Sequence, residues 1–542
     1  MNKLRNWCKK EENGISLAKA CLMACLPLLC CVVYCAAQGK SIGEVYLPAS
    51  EWNDELFYFK QVEGIVKYGY PQGYFGFNES HALKLSFAAW SPVLVWPWIL
   101  WGFLFGWNLL SPIICNIVLL TLAVFVFVWL VRPTWKQLGV CTLLFCLYTP
   151  FVRYMLSGMP EVICFSMLIV FYGVAYRYLQ DRKNSGLVIL FVLAGLLTLM
   201  RPYMLLFLLL PIFLWMRKSG WKGLIGSGVV LVIVVGAYAM IKHFLGAEYF
   251  APLFFTDWIT TFFEKGFGPG VRNFFGTLYR MGKEFLRHTK EGFRNGLASG
   301  AFFGGYLTML AVLLGQSLMD FFRWKKLRTS EEAQERTRKC ANQLVVEAHL
   351  TICYIGMLFA LLLMYKLTEG SKHLLTFMAV GIFVVGMMET KFYKKAVLIG
   401  AMFAYLYSYK AVDPYDYQVP FVTEELREQY AYWQQTCEQE LILVHTKEIP
   451  NYDNVVIWTF NDKVQDAYIS TKWQMLYGLP KGYGISCCMN DYVTEHLEEL
   501  QSRYLAVVAG GSIDVLCQEA GYREVGRDRD LVLYERYTSE VR

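Results

Sequence analysis

Apolar runs of about 15–24 residues recur along this chain, and they leave few folds open to it. A lipid core of about 30 Å is crossed by about 20 apolar residues in a helix. Backbone N–H and C=O groups find no water there, so each span must satisfy its own hydrogen bonds. Runs of this kind are read near 17–37, 110–131, 137–152, 160–179, 187–200, 203–216, 224–244, 299–321, 347–366, 373–389 and 396–410. A cleaved signal peptide is the competing reading of 17–37, although CAAQ at 35–38 matches a cleavage site poorly.

Threading these eleven runs alternately tests the assignment. It puts Arg132/Lys136, Arg182/Lys183, Arg217/Lys218/Lys222, Arg323 to Lys339 and Lys391/Lys394/Lys395 on the side of the basic N-terminus. That is the positive-inside pattern, so the N-terminus is expected in the cytoplasm. The alternation holds only if 87–107 does not cross. Its prolines, Pro92 and Pro97, and its tryptophans at 90, 96, 98, 101 and 107 suit an interfacial or re-entrant helix. With 18% charged residues, against about 25% in a soluble domain, the chain lacks the polar surface of a large soluble protein. The net charge of +7 sits largely in the short loops and points to no nucleic acid. The sixteen cysteines include many within apolar runs, where they act as small hydrophobes. No metal-type Cys/His spacing occurs, and a disulfide among Cys437, Cys487, Cys488 and Cys517 has no support in the spacing.

The alternation leaves 38–109, the turn 153–159, Arg201-Pro202, the loop 245–298, the loop 367–372 and the tail 411–542 on the outer side. Ionisable groups at such span ends are candidates for chemistry. In the first loop these are Asp54, Glu55, Glu79 and His81. Glu161 opens a span, where an acid also favours the helix dipole. Arg201 beside a proline could clamp a phosphate with two parallel bonds, or snorkel to the interface. Lys372, His373 and Arg153 are further cationic candidates. Loop 245–298 carries Lys265, Arg272, Arg280, Lys283, Arg287, Lys290 and Arg294 between aromatic residues, as an amphipathic helix on a headgroup surface would. The tail reads as a small α/β domain, with strands at 441–445, 455–460, 504–508 and 531–535 and helices at 424–437 and 492–502. Its Gly510-Gly511-Ser512 follows a strand but is no nucleotide-binding motif.

The order of motifs resembles a family. WNDELFYF opens the first outer loop, and an aromatic, proline-broken segment runs from Ser91-Pro92 to Phe105-Gly106. RYMLSGMPEV precedes a span, Arg201-Pro202 divides two helices, and Glu369-Gly370-Ser371-Lys372-His373 precedes a late span. This layout resembles GT-C membrane glycosyltransferases, in particular bacterial relatives of protein mannosyltransferases and of the lipid A aminoarabinose transferase. The late element departs from the family's EGSRY at Lys372 and His373.

The resemblance implies a polytopic α-helical membrane protein of about eleven spans, with a GT-C-like catalytic domain over 1–410 and an outer-face α/β domain over 411–542. It implies inverting transfer of a hexose or pentose from a polyprenyl-phosphate donor to an outer-face glycan, lipid or protein, in a bacterial plasma membrane. Such a transfer needs a base for the acceptor hydroxyl and positive charge on the departing phosphate. Asp54 is expected as base, with Glu55 in reserve. Arg201, Lys372, His373 and Arg153 are expected to bind substrate phosphate. Glu79, His81 and Glu161 are expected to hold a divalent ion, Mg or Mn, if the reaction uses one. Membrane lipids are the remaining expected partners. A flippase or transporter for lipid-linked saccharides is the alternative, as is a polysaccharide polymerase or ligase. Transporters often show internal repeats and midplane charges, and neither feature stands out here.

Overall fold

The computed structural model describes residues 16–45, 53–71, 75–77, 79, 91–246, 256–328, 334–365, 367–388, 393–408, 419, 421–436, 455–459, 484–529 and 531–536. The expected strand at 441–445 and the candidate ligand His81 lie outside these residues.

The first half of the helical body runs as α1 (Ser16–Ala24), α2 (Leu26–Ala37), α3 (Asn53–Tyr68), α4 (Trp96–Phe105), α5 (Ser111–Val131), α6 (Trp135–Leu147), α7 (Thr149–Met155), α8 (Glu161–Asp181) and α9 (Asn184–Met200). It continues as α10 (Leu209–Ser219), α11 (Trp221–Leu245), α12 (Asp257–Lys265), α13 (Phe267–Arg294), α14 (Ala298–Leu327), α15 (Gln334–Met364), α16 (Leu367–Gly386) and α17 (Tyr393–Ser408). Among the described residues seven helical stretches are long and apolar enough to cross a membrane, or eight if the bent pair α6–α7 is one span. Each expected span coincides with a helix, but α9, the apolar part of α16 and α17 are shorter than that measure requires. Helix α4 has 10 residues. They rise about 15 Å, half of the lipid core, so α4 alone cannot cross it.

Two breaks in the helices bring cationic side chains inward, and both are set by proline. Between α6 and α7 the axis turns by 72°. Pro150 lacks an N–H, and its ring would clash with the carbonyl of Cys146 were the helix continuous. The turn swings Arg153 inward, where it is buried. The second break is at Arg201, which is extended (φ −146°, ψ 120°) before a 3-10 turn over Pro202–Leu208. A residue preceding proline is pushed out of the helical region in this way.

Helix α5 packs on α8. A Cβ on Gly173 would lie 3.2 Å from the Phe127 Cα, so the small residue sets that approach. Helices α14 and α15 pack along one another, with Tyr306 Oη donating to the Tyr354 carbonyl at 2.9 Å. The loop expected to form a basic amphipathic helix holds α13, 28 residues long. Phe275, Tyr279 and Leu286 form an exposed apolar strip beside Arg280, Lys283 and Arg287.

The tail forms α18 (Glu424–Thr436), α19 (Asn490–His496) and α20 (Ser512–Glu519) around a sheet of β1 (Phe75–Phe77), β2 (Val455–Trp458), β3 (Gly484–Cys487), β4 (Tyr504–Val508), β5 (Arg523–Asp528) and β6 (Leu531–Glu535). The strand order is β1-β3-β2-β4-β6-β5. Strands β1 to β4 pair in parallel, and β6 is antiparallel to both β4 and β5. Strand β1 comes from the first loop, in register Phe75 with Ile485 and Phe77 with Cys487. The tail sheet is therefore completed by the segment that follows α3. Cys488 and Cys517 are buried thiols.

Candidate active site

Helix α3 begins at the acids. Asp54 and Glu55 lie in its first turn, where carboxylates meet the positive end of the helix dipole. A period of 3.6 residues turns these neighbours about 100° apart, so they serve different partners. Glu55 is fully buried and accepts from Arg153 Nη1 at 3.3 Å. Asp54 keeps 34% of its side chain exposed and pairs with Lys372, itself 23% exposed, near the start of α16.

Next to this pair is a deeper one. Arg201 Nη2 donates to Glu161 Oε1 at 2.5 Å, and both side chains are 1% exposed. Arg201 Nη1 lies 2.9 Å from His373 Nδ1. The same ring nitrogen is 3.1 Å from the Tyr203 hydroxyl, and the Tyr203 and Tyr365 rings meet the imidazole edge-on. Arginine donates only, so His373 Nδ1 is the acceptor in that contact and the ring proton sits on Nε2. The second carboxylate oxygen of Glu161 has no hydrogen-bond partner and is buried. Tyr58, one turn along α3 from Asp54, has Arg201, Asp54 and Glu161 as charged neighbours.

Asp54, Glu55, Arg153, Glu161, Arg201, Lys372 and His373 thus come together from α3, α7, α8, the α9 break and α16. The span ends that loop alternation assigned to one side do meet. Arg153 is held on Glu55, so its expected role as a free phosphate ligand meets a buried carboxylate already in contact with it.

The two expected metal ligands that the structure describes, Glu79 and Glu161, are held by different partners. The Glu79 N–H (φ 63°) donates to Ser486 Oγ at 2.9 Å. Its carboxylate accepts from Gln501 N at 2.9 Å, Ser502 N at 2.6 Å and Ser502 Oγ at 2.6 Å. Those bonds tie the first loop to the tail domain, while Glu161 is engaged by Arg201. Among the described residues no three His, Cys, Asp or Glu side chains come near enough to hold one ion.

Sequence reasoning missed the aromatic wall of the site. Tyr58, Tyr203 and Tyr365 sit four residues after Asp54, two after Arg201 and seven before Lys372. Only Tyr58 lies on the same helix as its partner; Tyr365 precedes the helix that carries Lys372. Gln61 was also missed. It shares the face of Asp54 and Tyr58 at positions i, i+4 and i+7. It is 1% exposed, and neither end of its amide is hydrogen-bonded.

No protein-family model matches the chain, and no curated protein matches it. Among solved structures it is similar to the apo oligosaccharyltransferase of Archaeoglobus fulgidus, with a TM-score of 0.45 and 12% identity over 89% of this chain and 69% of that one. It is also similar to ArnT from Cupriavidus metallidurans bound to undecaprenyl phosphate, with a TM-score of 0.41 and 11% identity over 96% of this chain and 98% of that one. The apo state of the same ArnT gives 0.40 and 11% over the same shares.

Proposed function

We propose that this chain is a membrane glycosyltransferase that moves a sugar from a polyprenyl-phosphate donor to a hydroxyl acceptor. The observation that carries this reading is the meeting of a reachable carboxylate, Asp54, with a reachable cation, Lys372, above the buried Glu161–Arg201–His373 chain. These groups gather at helix ends, where a lipid-borne phosphate would lie.

Exposure favours Asp54 over Glu55 as the base. Glu55 is enclosed against Arg153 and cannot reach an acceptor, whereas Asp54 is open to one. In the reaction, the Asp54 carboxylate takes the acceptor hydroxyl proton as the oxygen attacks the anomeric carbon. The bond from that carbon to the phosphate oxygen breaks, and the phosphate leaves with the electron pair. A single displacement of this kind inverts the anomeric centre. Lys372 and Arg201 supply the positive charge that the departing phosphate needs. Before substrate binds, Asp54 and Lys372 neutralise each other. A phosphate arriving at Lys372 would release Asp54 to act as base, which makes base activation depend on the donor. Glu55–Arg153 and Glu161 fix the backbone and the Arg201 fork.

The test is transfer from a radiolabelled polyprenyl-phosphate sugar in membranes containing the protein, with nucleotide sugars as the comparison donor. Label is expected in an acceptor, with free polyprenyl phosphate as by-product. Translocation of the intact lipid-linked sugar with no transfer would support the transporter instead.

A further inference from the structure

A polar cavity lies at the opposite end of the helices from the Asp54–Arg201 cluster. Its volume is about 420 Å³, within the usual range for small-ligand sites, about 300–1,000 Å³. Helix α8 gives its distance from the first site. Glu161 starts that helix, and Leu179 and Gln180, near its far end, line the cavity. Nineteen residues of helix separate Glu161 from Gln180, a rise of about 28 Å. The cavity therefore lies about one lipid-core thickness from that site, at the other end of the spans.

Its chemistry differs from that of the first site. Arg323, Arg336, Arg338 and Lys339 line it and are exposed. They belong to the ends of α14 and α15 that face each other across the hairpin. Lys339 also has an ion pair with Glu335 at 2.8 Å. The exposed Gln180 and the half-buried Gln137, Gln316, Asn342 and Gln343 also line it, the last four donating to Met387, Asp320, Leu179 and Glu347 and keeping carbonyl oxygens as further acceptors. Asp320 is buried among them, with one carboxylate oxygen accepting from Gln316 Nε2 at 2.9 Å. Four cations against one lining carboxylate suit an anion. Several amides and a carboxylate beneath the cations suit hydroxyl groups rather than a bare apolar tail. Exposed Leu318, Phe321 and Phe322 on the same stretch of α14 offer the apolar flank that acyl chains would lie along.

We infer that this cavity binds the headgroup of an anionic, hydroxyl-bearing glycerophospholipid such as phosphatidylglycerol. The phosphodiester sits on the Arg/Lys rim and the headgroup hydroxyls reach the amides and Asp320. Basic pockets between helices at a membrane surface take lipid headgroups for this reason. The site is independent of the transfer chemistry, and it would anchor the α14–α15 hairpin to its own leaflet.

The test uses the full-length protein purified in detergent, with bound lipid quantified by native mass spectrometry after titration with phosphatidylglycerol or phosphatidylcholine. Wild type is expected to retain phosphatidylglycerol in preference to phosphatidylcholine. Arg336→Gln/Arg338→Gln should weaken that retention roughly 25-fold, two charges at about a factor of five each. The control Lys325→Gln/Arg328→Gln removes two charges from outside the cavity and should leave it unchanged. Equal retention of the two lipids, or equal loss in both variants, would overturn the inference. So would sn-glycerol 3-phosphate alone displacing the lipid at equimolar concentration, because the site would then need no acyl chains.

Discussion

Asp54 and Lys372 are 318 positions apart in the chain and form an ion pair at the mouth of a buried network. Each keeps a quarter to a third of its side chain in contact with solvent. A pair this open contributes about 0–1 kcal/mol to stability. In the proposed reaction its value is in what it presents to a substrate. Lys372→Met should lower transfer about 100-fold, the scale of losing one charge that stabilises the transition state. Thermal stability should hold within about 2–4 °C. Lys372→Arg should retain most activity. A large stability loss in Lys372→Met with proportionate loss of activity would instead assign Lys372 to the scaffold.

Glu55 and Arg153 make the opposite case. Both are 2% exposed or less, so removing one partner strands a charge. Arg153→Met should destabilise the protein by about 3–5 kcal/mol. The double variant Glu55→Leu/Arg153→Met should recover most of that loss. Thermal unfolding of the purified protein in detergent measures both, and a double variant as unstable as the single one would contradict the pairing.

Arg201 reaches Glu161 and His373 at the same time, at 2.5 Å and 2.9 Å. An ammonium has no planar fork with which to hold two such partners at once. Arg201→Lys is expected to lower kcat by about 100-fold or more at matched protein level. Near wild-type turnover would show that charge alone suffices there.

The tail domain should be acid-labile. Asp514 is buried, which by itself favours its neutral form, but hydrogen bonds from Tyr534 Oη and Gly510 N and the Arg527 guanidinium outweigh that and hold its pKa below the usual range. Glu535 behaves likewise: burial is outweighed by Arg503 and Arg523. Both carboxyls have folded values below their unfolded ones. Their stabilisation is complete above the unfolded values, about 4. It is lost as pH falls through the folded values. Hydrogen exchange in β4 to β6 of the full-length protein, taken relative to the intrinsic amide rate at each pH, should therefore rise below about pH 4. Asp514→Asn should raise it already at pH 7, and exchange unaffected by that substitution would contradict the assignment.

The helical body was legible because the bilayer demands long apolar runs, and proline marked the break at Pro202, whereas the bend before Pro150 fell inside the expected span 137–152. Strands β4 and β6 were legible to the residue from their apolar content, Tyr504–Val508 and Leu531–Glu535. Strand β5 was not, because Arg523–Asp528 has polar residues on an edge strand and no apolar alternation. Strand β1 was invisible for a different reason. Phe75–Phe77 is three residues long and pairs with a strand about 400 positions away, so no local pattern encodes it. At the site, loop alternation pointed to Asp54, Glu161, Arg201 and Lys372 on one side. It could not separate Asp54 from Glu55, because only burial against Arg153 distinguishes two adjacent acids. It also could not assign Glu79, whose partners lie in the tail domain.

The proposed chemistry stands or falls with Asp54 as the base. Asp54→Asn in the membrane transfer assay, beside Glu55→Gln and with protein level checked in the same membranes, decides the matter. The amide is isosteric but cannot accept the acceptor's proton. Asp54→Asn is expected to lose about 100-fold or more of wild-type turnover while donor binding persists. Glu55→Gln should show its effect mainly as lower stability. Undiminished transfer by Asp54→Asn would contradict the assignment of Asp54 as base.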